Sequence, residues 1–264
     1  WKEVIYMSDN QLTIKIELPE VVNATFKPVA NSIGQTLAHA WEGFTMGLET
    51  WYGKKKIDSE NNLRLYAEEV SNRLSAIPEE NLQDPKMNIL GPALEASKFY
   101  FEEPQYREMF SKLIAASCDT RATDKAHPFF VEAIKQLTPN EAKILETFKG
   151  KHNQPIACYQ LNRENGSTNM LMEHVFLLKG SSTFEKEPDY YASSLVNLQR
   201  LGFLSINYEQ WIADESVYDV FKTSTYYKLN KVPFESDPEI RSLDVQKGLI
   251  SITPLGLDFL SICV

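Results

Sequence analysis

From Val22 to Tyr52 the apolar positions Phe26, Val29, Ile33, Leu37, Trp41, Phe44, Leu48 and Trp51 recur in steps of three and four. That period predicts one long amphipathic helix. Gly34, Gly43 and Gly47 interrupt it; each costs about 1 kcal/mol against Ala in a helix interior, so they imply close packing or a bend. Leu63, Tyr66, Val70 and Leu74 mark a second helix over 59–76. Pro78, Pro85 and Pro92 make 77–92 a connector, and Glu102-Glu103-Pro104 separates helices over 93–101 and 105–118. After a polar loop over 119–126, His127-Pro128 opens a helix that runs to Leu137. The next helix has the clearest start. Thr138 is placed as N-cap, Pro139 at the first helical position and Glu141 three residues on, which is a capping box.

The flanking stretches have a different period. QLTIKIEL (11–18) alternates apolar and polar residues as a short strand or extended arm, ended by Pro19. QPIACYQL (154–161) alternates as a strand, whereas 168–179 is apolar and reads as either element. A helix over 188–201 carries the stripe Tyr191, Leu195, Leu198 and Leu201 and stops at Gly202. Strands follow at 203–207 and 248–252, and Thr253-Pro254 caps a last helix through Ile262. This is the element order of a winged helix-turn-helix. The expected fold is therefore mainly α with a small β component. It comprises an N-terminal arm or strand (1–21), a helical domain (22–137) and a C-terminal winged-helix-like domain (138–264). That last domain would hold a long wing insertion (208–247), far longer than a tight turn needs.

Hydrophobic residues at 43% and charged residues at 24% are ordinary for a globular chain and exclude wholesale disorder. The net charge of −9 is shared: 14 basic and 19 acidic residues up to Lys125, 13 and 17 after it. Neither half is basic, which argues against a phosphate backbone as partner. Cys118, Cys158 and Cys263 are odd in number, widely spaced and set among apolar or small residues. They read as reduced core cysteines in a reducing compartment, and neither disulfide framework nor zinc site is expected. The opening WKEVIY is not a signal peptide, so a cytoplasmic location is expected, with peripheral contact at the inner membrane as the alternative. Met7-Ser8-Asp9 reads as a natural start, with residues 1–6 upstream of it.

No nucleotide-binding, dinucleotide-binding or nucleophile-elbow glycine motif is present, and Gly166 reads as a turn. His127 could act as a base or ligand, but its place before Pro128 suits a helix-entry cap better. His39 falls on the polar side of the first helix. Glu173-His174 lacks the second histidine of a zinc-binding helix. Adjacent acids at Glu68-Glu69, Glu79-Glu80 and Glu102-Glu103 diverge on a helix and read as solvated. A recognition helix over 188–201 would enter DNA behind Glu185, Glu187 and Asp189, with Arg200 its only internal basic residue, which disfavours nucleic acid. Trp41, Phe44, Leu48 and Trp51 with Lys54, Lys55 and Lys56 form a candidate membrane or partner face. Core packing is its bland alternative, and polar interruptions deny a span of about 20 apolar residues. Trp211, Tyr218, Phe221, Tyr226 and Tyr227 form a candidate partner surface that could equally cap a local core. No catalytic, cofactor or metal residues are expected. The expected partner is another protein or a second copy.

Two stretches carry a family resemblance. Leu90 to Phe148, with AHPFFVEAIKQLTPNEAKILETF, is one; SLVNLQRLGFLSI (194–206) with GLISITPLGLDFLSICV (248–264) is the other. They resemble the Abi-alpha (abortive infection alpha) family of bacterial proteins. The resemblance implies a role in defence against phage by halting or killing the infected cell, and it implies no catalytic residues. A winged-helix DNA-binding regulator and a membrane-acting toxin working through helix 22–52 are the alternative expectations.

Overall fold

Internal contacts divide the chain into a first unit, Trp1–Lys135 with Cys263, and a second, Gln136–Ile262 with Val264. A computed structural model describes residues 5–6, 13–14, 31–52, 56–178 and 187–264, with side chains over 35–45, 61–178 and 187–264. The chain is mainly helical, about 53% helix against 18% strand, in keeping with the apolar periods read above.

The first unit opens on a two-residue antiparallel ladder, β1 (Ile5–Tyr6) with β2 (Thr13–Ile14). The rest of the expected arm, and the first turns of the expected long helix, lie outside the described residues. Helix α1 (Asn31–Tyr52) turns Leu37, Trp41, Phe44 and Thr45 inward. Trp41 packs 5.0 Å from Tyr66 of α2 (Lys56–Ser75), and Phe44 lies edge-on to both Tyr66 and Phe101. Tyr66, Val70 and Leu74 continue the buried stripe of α2, as their spacing predicts.

Helix α3 (Met87–Ser97) starts earlier than expected and contains Pro92. The proline removes one backbone donor. However, Pro92 and Asn88, the residue whose carbonyl would have received it, are both exposed, so water can take that bond. Burial of Ile89, Leu90, Ala93 and Leu94 on the other side outweighs the loss. Helix α4 (Pro104–Ser117) begins at the expected proline. Its Arg107 reaches α2, where Nε donates to Glu69 Oε1 at 2.7 Å. At the entry of α5 (Phe129–Gln136), the Phe129 amide donates to His127 Nδ1 at 3.1 Å. His127 is the cap that its position suggested.

The second unit begins with α6 (Pro139–Glu146) and its capping box. The Thr138 amide donates to Glu141 Oε2, and Asn197 Nδ2 donates to Oε1 at 2.9 Å, so the buried carboxylate is occupied on both oxygens. Four antiparallel strands follow in the order β4-β3-β6-β5: β3 (Asn153–Arg163), β4 (Thr168–Val175), β5 (Leu204–Asn207) and β6 (Ile240–Ile252). The ambiguous stretch over 168–179 is thus a strand in its first part. Helix α7 (Ala192–Arg200) precedes β5 and buries Leu195 and Leu198. The expected strands pair as Leu204↔Ile252 through Asn207↔Leu249. Strand β6 is much longer than expected, pairing with β3 from Ser251↔Asn153 to Ser242↔Asn162. Its alternation is masked at Gly248, a buried inward position without a side chain. A Cβ there would fall 2.5 Å from the Tyr208 ring. The expected insertion is therefore shorter. It folds as a 3-10 turn (Glu215–Tyr218), α8 (Asp219–Thr223) and α9 (Thr225–Glu235). Helix α10 (Pro254–Cys263) closes the chain, capped by Thr253 as its sequence predicts.

Candidate interaction surface

The aromatic residues of the insertion separate into two groups. Tyr218, Phe221 and Tyr227 are buried, in one cluster with Ala157, Tyr159 and Leu161 of β3 and Leu243 of β6. The tyrosine hydroxyls of this cluster are pinned to backbone. Tyr218 Oη donates to Gly248 O at 2.8 Å and accepts from the Ile212 amide at 2.9 Å. Tyr227 Oη donates to Leu243 O at 3.0 Å, and Tyr159 Oη donates to Phe221 O at 2.7 Å. Ser224 Oγ caps α9 by accepting from the Tyr227 amide. These three aromatics form a local core instead of a partner surface, because their rings cover the sheet while the hydroxyls of Tyr218 and Tyr227 find backbone partners. Tyr226 is half-buried and stacks on Tyr159 at 5.9 Å, whereas Trp211 stays 54% exposed.

What the insertion presents outward is the opposite side of α9. Leu229 and Val232 are each 69% exposed. At about 100° per residue, Lys228, Lys231 and Val232 share the flank that faces β6. There a cleft of about 660 Å³ is lined by Gln160, Lys222, Lys228, Lys231, Leu243 and Val245 among others. Two carboxylates also line it, Glu235 and Asp244. Asp244 is already engaged, accepting from Asn162 Nδ2 at 2.6 Å and from Ser242 Oγ at 3.2 Å. Lys231 Nζ lies 5.8 Å from the centre of the Tyr227 ring. Among the described residues no carboxylate forms an ion pair with Lys222, Lys228 or Lys231.

The other candidate face falls partly inside the core. Trp41 and Phe44 are buried, as the bland reading of the first helix had it, because their rings close on Tyr66 and Phe101. The side chains of Leu48, Trp51, Lys54, Lys55 and Lys56 lie outside the described residues. Among the described residues no helix is long and apolar enough to cross a membrane. Arg200, the basic residue of α7, donates to Gln136 Oε1 at 2.8 Å and to Asn197 Oδ1, so its guanidinium is engaged within its own unit.

Reactive groups meet most closely at a bulge in β4, which sequence reasoning missed. Between Val175↔Ala157 and Met172↔Tyr159, the two residues Glu173 and His174 oppose Cys158 alone. His174 takes the left-handed region with φ 56°. The Tyr208 hydroxyl lies 2.9 Å from His174 Nδ1 and accepts from the His174 amide at 3.2 Å, beside the Cys158 thiol that the bulge opposes. Burial raises the thiol's pKa, so the sulfur is protonated and a poor nucleophile, and the cluster acts as a pin between β3, β4 and the chain after β5. Cys118 is likewise pushed up to about 12 by burial, and all three cysteines are free and buried, as their settings suggested. No group of three His, Cys, Asp or Glu residues able to hold a metal occurs among the described residues.

The pin is sensitive to pH. Burial lowers the His174 pKa below its usual 6.5, with the charge of Glu173 opposing. A depressed value means that the fold favours the neutral ring, whose Nδ1 can accept from Tyr208. The associated stability is complete above pH 6.5 and is lost as pH falls through the lower folded value. Thermal melts should therefore show a Tm that declines as pH drops below about 6.5. In His174→Asn, which tolerates positive φ, that decline should flatten. An unchanged pH slope in this variant would remove His174 from the account.

The chain thus comprises a helical unit and a unit in which helices pack with a four-stranded antiparallel sheet. The family model for abortive infection alpha matches residues 58–263, and the chain belongs to that family. No curated protein and no solved structure matches it.

Proposed function

We propose that this chain defends a bacterial cell against phage from the cytoplasm, acting through contact with a protein partner and not through catalysis. Family membership is the observation that carries the defence role. The contact role is supported by the exposed face of α9, where apolar side chains stand beside lysines that form no ion pair among the described residues. In this reading the order α6-β3-β4-α7-β5-β6-α10 makes residues 138–264 a winged-helix-like docking unit. The sheet and its tyrosine core hold α9 in place, and DNA binding is not its task. Trp41 and Phe44 serve the helical unit as core side chains, so the output does not depend on their reaching a bilayer.

The test is phage challenge of cells expressing the chain, at low and high phage-to-cell ratio, with a membrane-impermeant dye present. Protection at low ratio only, without dye entry, is the expected result, and His127→Ala should protect as well as the parent. Dye entry coincident with protection would replace the protein-contact reading with membrane damage. Absence of protection against a broad phage panel would overturn the defence role.

A further inference from the structure

We infer that the cleft between α9 and β6 is a docking groove for an acidic peptide segment with an apolar anchor, presented by a protein partner. This rests on the protein-contact reading above and names its chemistry.

Three observations support it. The first is the cluster of lysines. On a chain of net charge −9, Lys222, Lys228 and Lys231 converge on one cleft with no ion-pair partner among the described residues. Some lysines are paired within the fold, as Lys247 is with Glu215 at 2.7 Å and Lys112 with Glu108 at 2.8 Å; what sets Lys222, Lys228 and Lys231 apart is that the three line one cleft. A local basic group on an acidic molecule selects a small anionic element, because a large one also meets the repulsion of the remaining surface.

The second is the apolar crest. Leu229 and Val232 stand in the open beside those lysines, on a helix whose inner side already fills the core. Burying such side chains on contact removes apolar area from water, a gain that a purely ionic ligand would not use. The third is shape. The open cleft of about 660 Å³ between α9 and β6 has room for a chain segment laid along it. Glu235 and Asp244, which also line it, would repel a continuous row of phosphates, whereas a peptide can set its carboxylates against the lysines and its amide donors against these two acids. The same Glu235 lies 3.5 Å from the Leu243 amide, which keeps it turned toward the sheet.

The occupant is therefore a peptide with two or three Asp or Glu residues flanking a Leu, Ile or Phe, the acids reaching the lysines and the apolar side chain meeting Leu229 and Val232.

The purified full chain is panned against a yeast-displayed random peptide library, and enriched peptides are measured by fluorescence anisotropy. Expected are peptides rich in Asp and Glu around an apolar residue. Their affinity should fall about tenfold or more in Lys222→Glu/Lys228→Glu/Lys231→Glu, and also between about 0.05 and 0.5 M salt. Leu229→Ser/Val232→Ser should weaken binding while leaving the salt dependence in place. All five positions are exposed, so the variants should keep the parent's circular dichroism and Tm. Enrichment without acidic bias, equal binding by the lysine variant, or no enrichment would overturn the inference. So would lysine-dependent binding to anionic phosphatidylglycerol vesicles or duplex DNA in place of peptide. Panning involves no infection, so a failure here is distinct from a failure of the defence role in phage challenge.

Discussion

Gly256→Ala should lower the Tm by about 10 °C, while Gly91→Ala, the same change in another helix, should leave it level or raise it slightly. Alanine normally favours a helix interior by about 1 kcal/mol over glycine, so helix propensity alone predicts stabilisation at both sites. The surroundings decide the sign. Around Gly91 a Cβ would meet nothing within 4 Å. At Gly256 it would fall 2.2 Å from the Phe203 carbonyl oxygen and 2.9 Å from Ile252 Cγ1. That oxygen cannot swing aside, because it already accepts from the Thr253 amide at 2.9 Å. Thr253 is in turn held by its hydroxyl, which donates to Gly202 O at 2.6 Å and accepts from the Gly256 amide at 3.0 Å. The Phe203 and Phe259 rings stack 4.4 Å apart at the same junction. Fitting a methyl group would push α10 off β5, at a cost of about 2–4 kcal/mol. Differential scanning calorimetry of the two variants beside the parent is the measurement. A neutral Gly256→Ala would show that α10 moves more freely than these bonds imply.

Arg107→Ala should destabilise the helical unit by about 3 kcal/mol, more than any exposed ion pair in the protein could contribute. Arg107 is 7% exposed. Its guanidinium joins Glu69 at 2.7 Å, the Phe101 carbonyl at 3.2 Å and Asn62 Oδ1 at 3.5 Å. Truncation strands the Glu69 carboxylate, whose Oε2 is buried without a hydrogen bond. Lysine should not rescue, since a single ammonium cannot reproduce the fork that serves three acceptors. The double variant Arg107→Leu/Glu69→Leu should recover much of the loss, because two apolar side chains avoid the desolvation that the pair only partly offsets. Urea melts of the two singles and the double form a mutant cycle, and a coupling energy near zero would count against the pair. The cost would then belong to lost packing of the long arginine side chain.

Local signals were legible wherever their physics is local. The capping box at Thr138 and Glu141, Pro104 at the start of α4, the His127 cap and the Thr253-Pro254 start of α10 stand where the residues indicated. Each depends on side chains within three residues of the backbone they satisfy. The apolar stripes of α1 and α2 were equally legible, because a 3.6-residue period reports which face is buried whatever covers it. Other features were not legible. Pro92 looked like a boundary because the chain alone does not reveal that its side of α3 faces water. The first half of β6 was hidden because its partner, β3, lies some eighty residues upstream, and because Gly248 interrupts the alternation to admit the Tyr208 ring.

The candidate surface shows the same division. Composition marked 208–247 as rich in aromatic residues, and that much was correct, yet an aromatic side chain reads alike whether it faces solvent or a core. Only the sheet decided that Tyr218, Phe221 and Tyr227 turn inward, since the Leu243 and Gly248 carbonyls that anchor Tyr227 and Tyr218 belong to β6, and Tyr159 of the paired β3 reaches the Phe221 carbonyl. The lysines drew no notice in sequence, being scattered singly in an acidic chain. Folding places Lys222 of α8 beside Lys228 and Lys231 of α9 along one cleft. Family, helix starts and buried stripes are thus properties of neighbouring residues and follow from the chain. The direction of a side chain and the company it keeps arise from contacts distant in sequence, and those came with the tertiary fold.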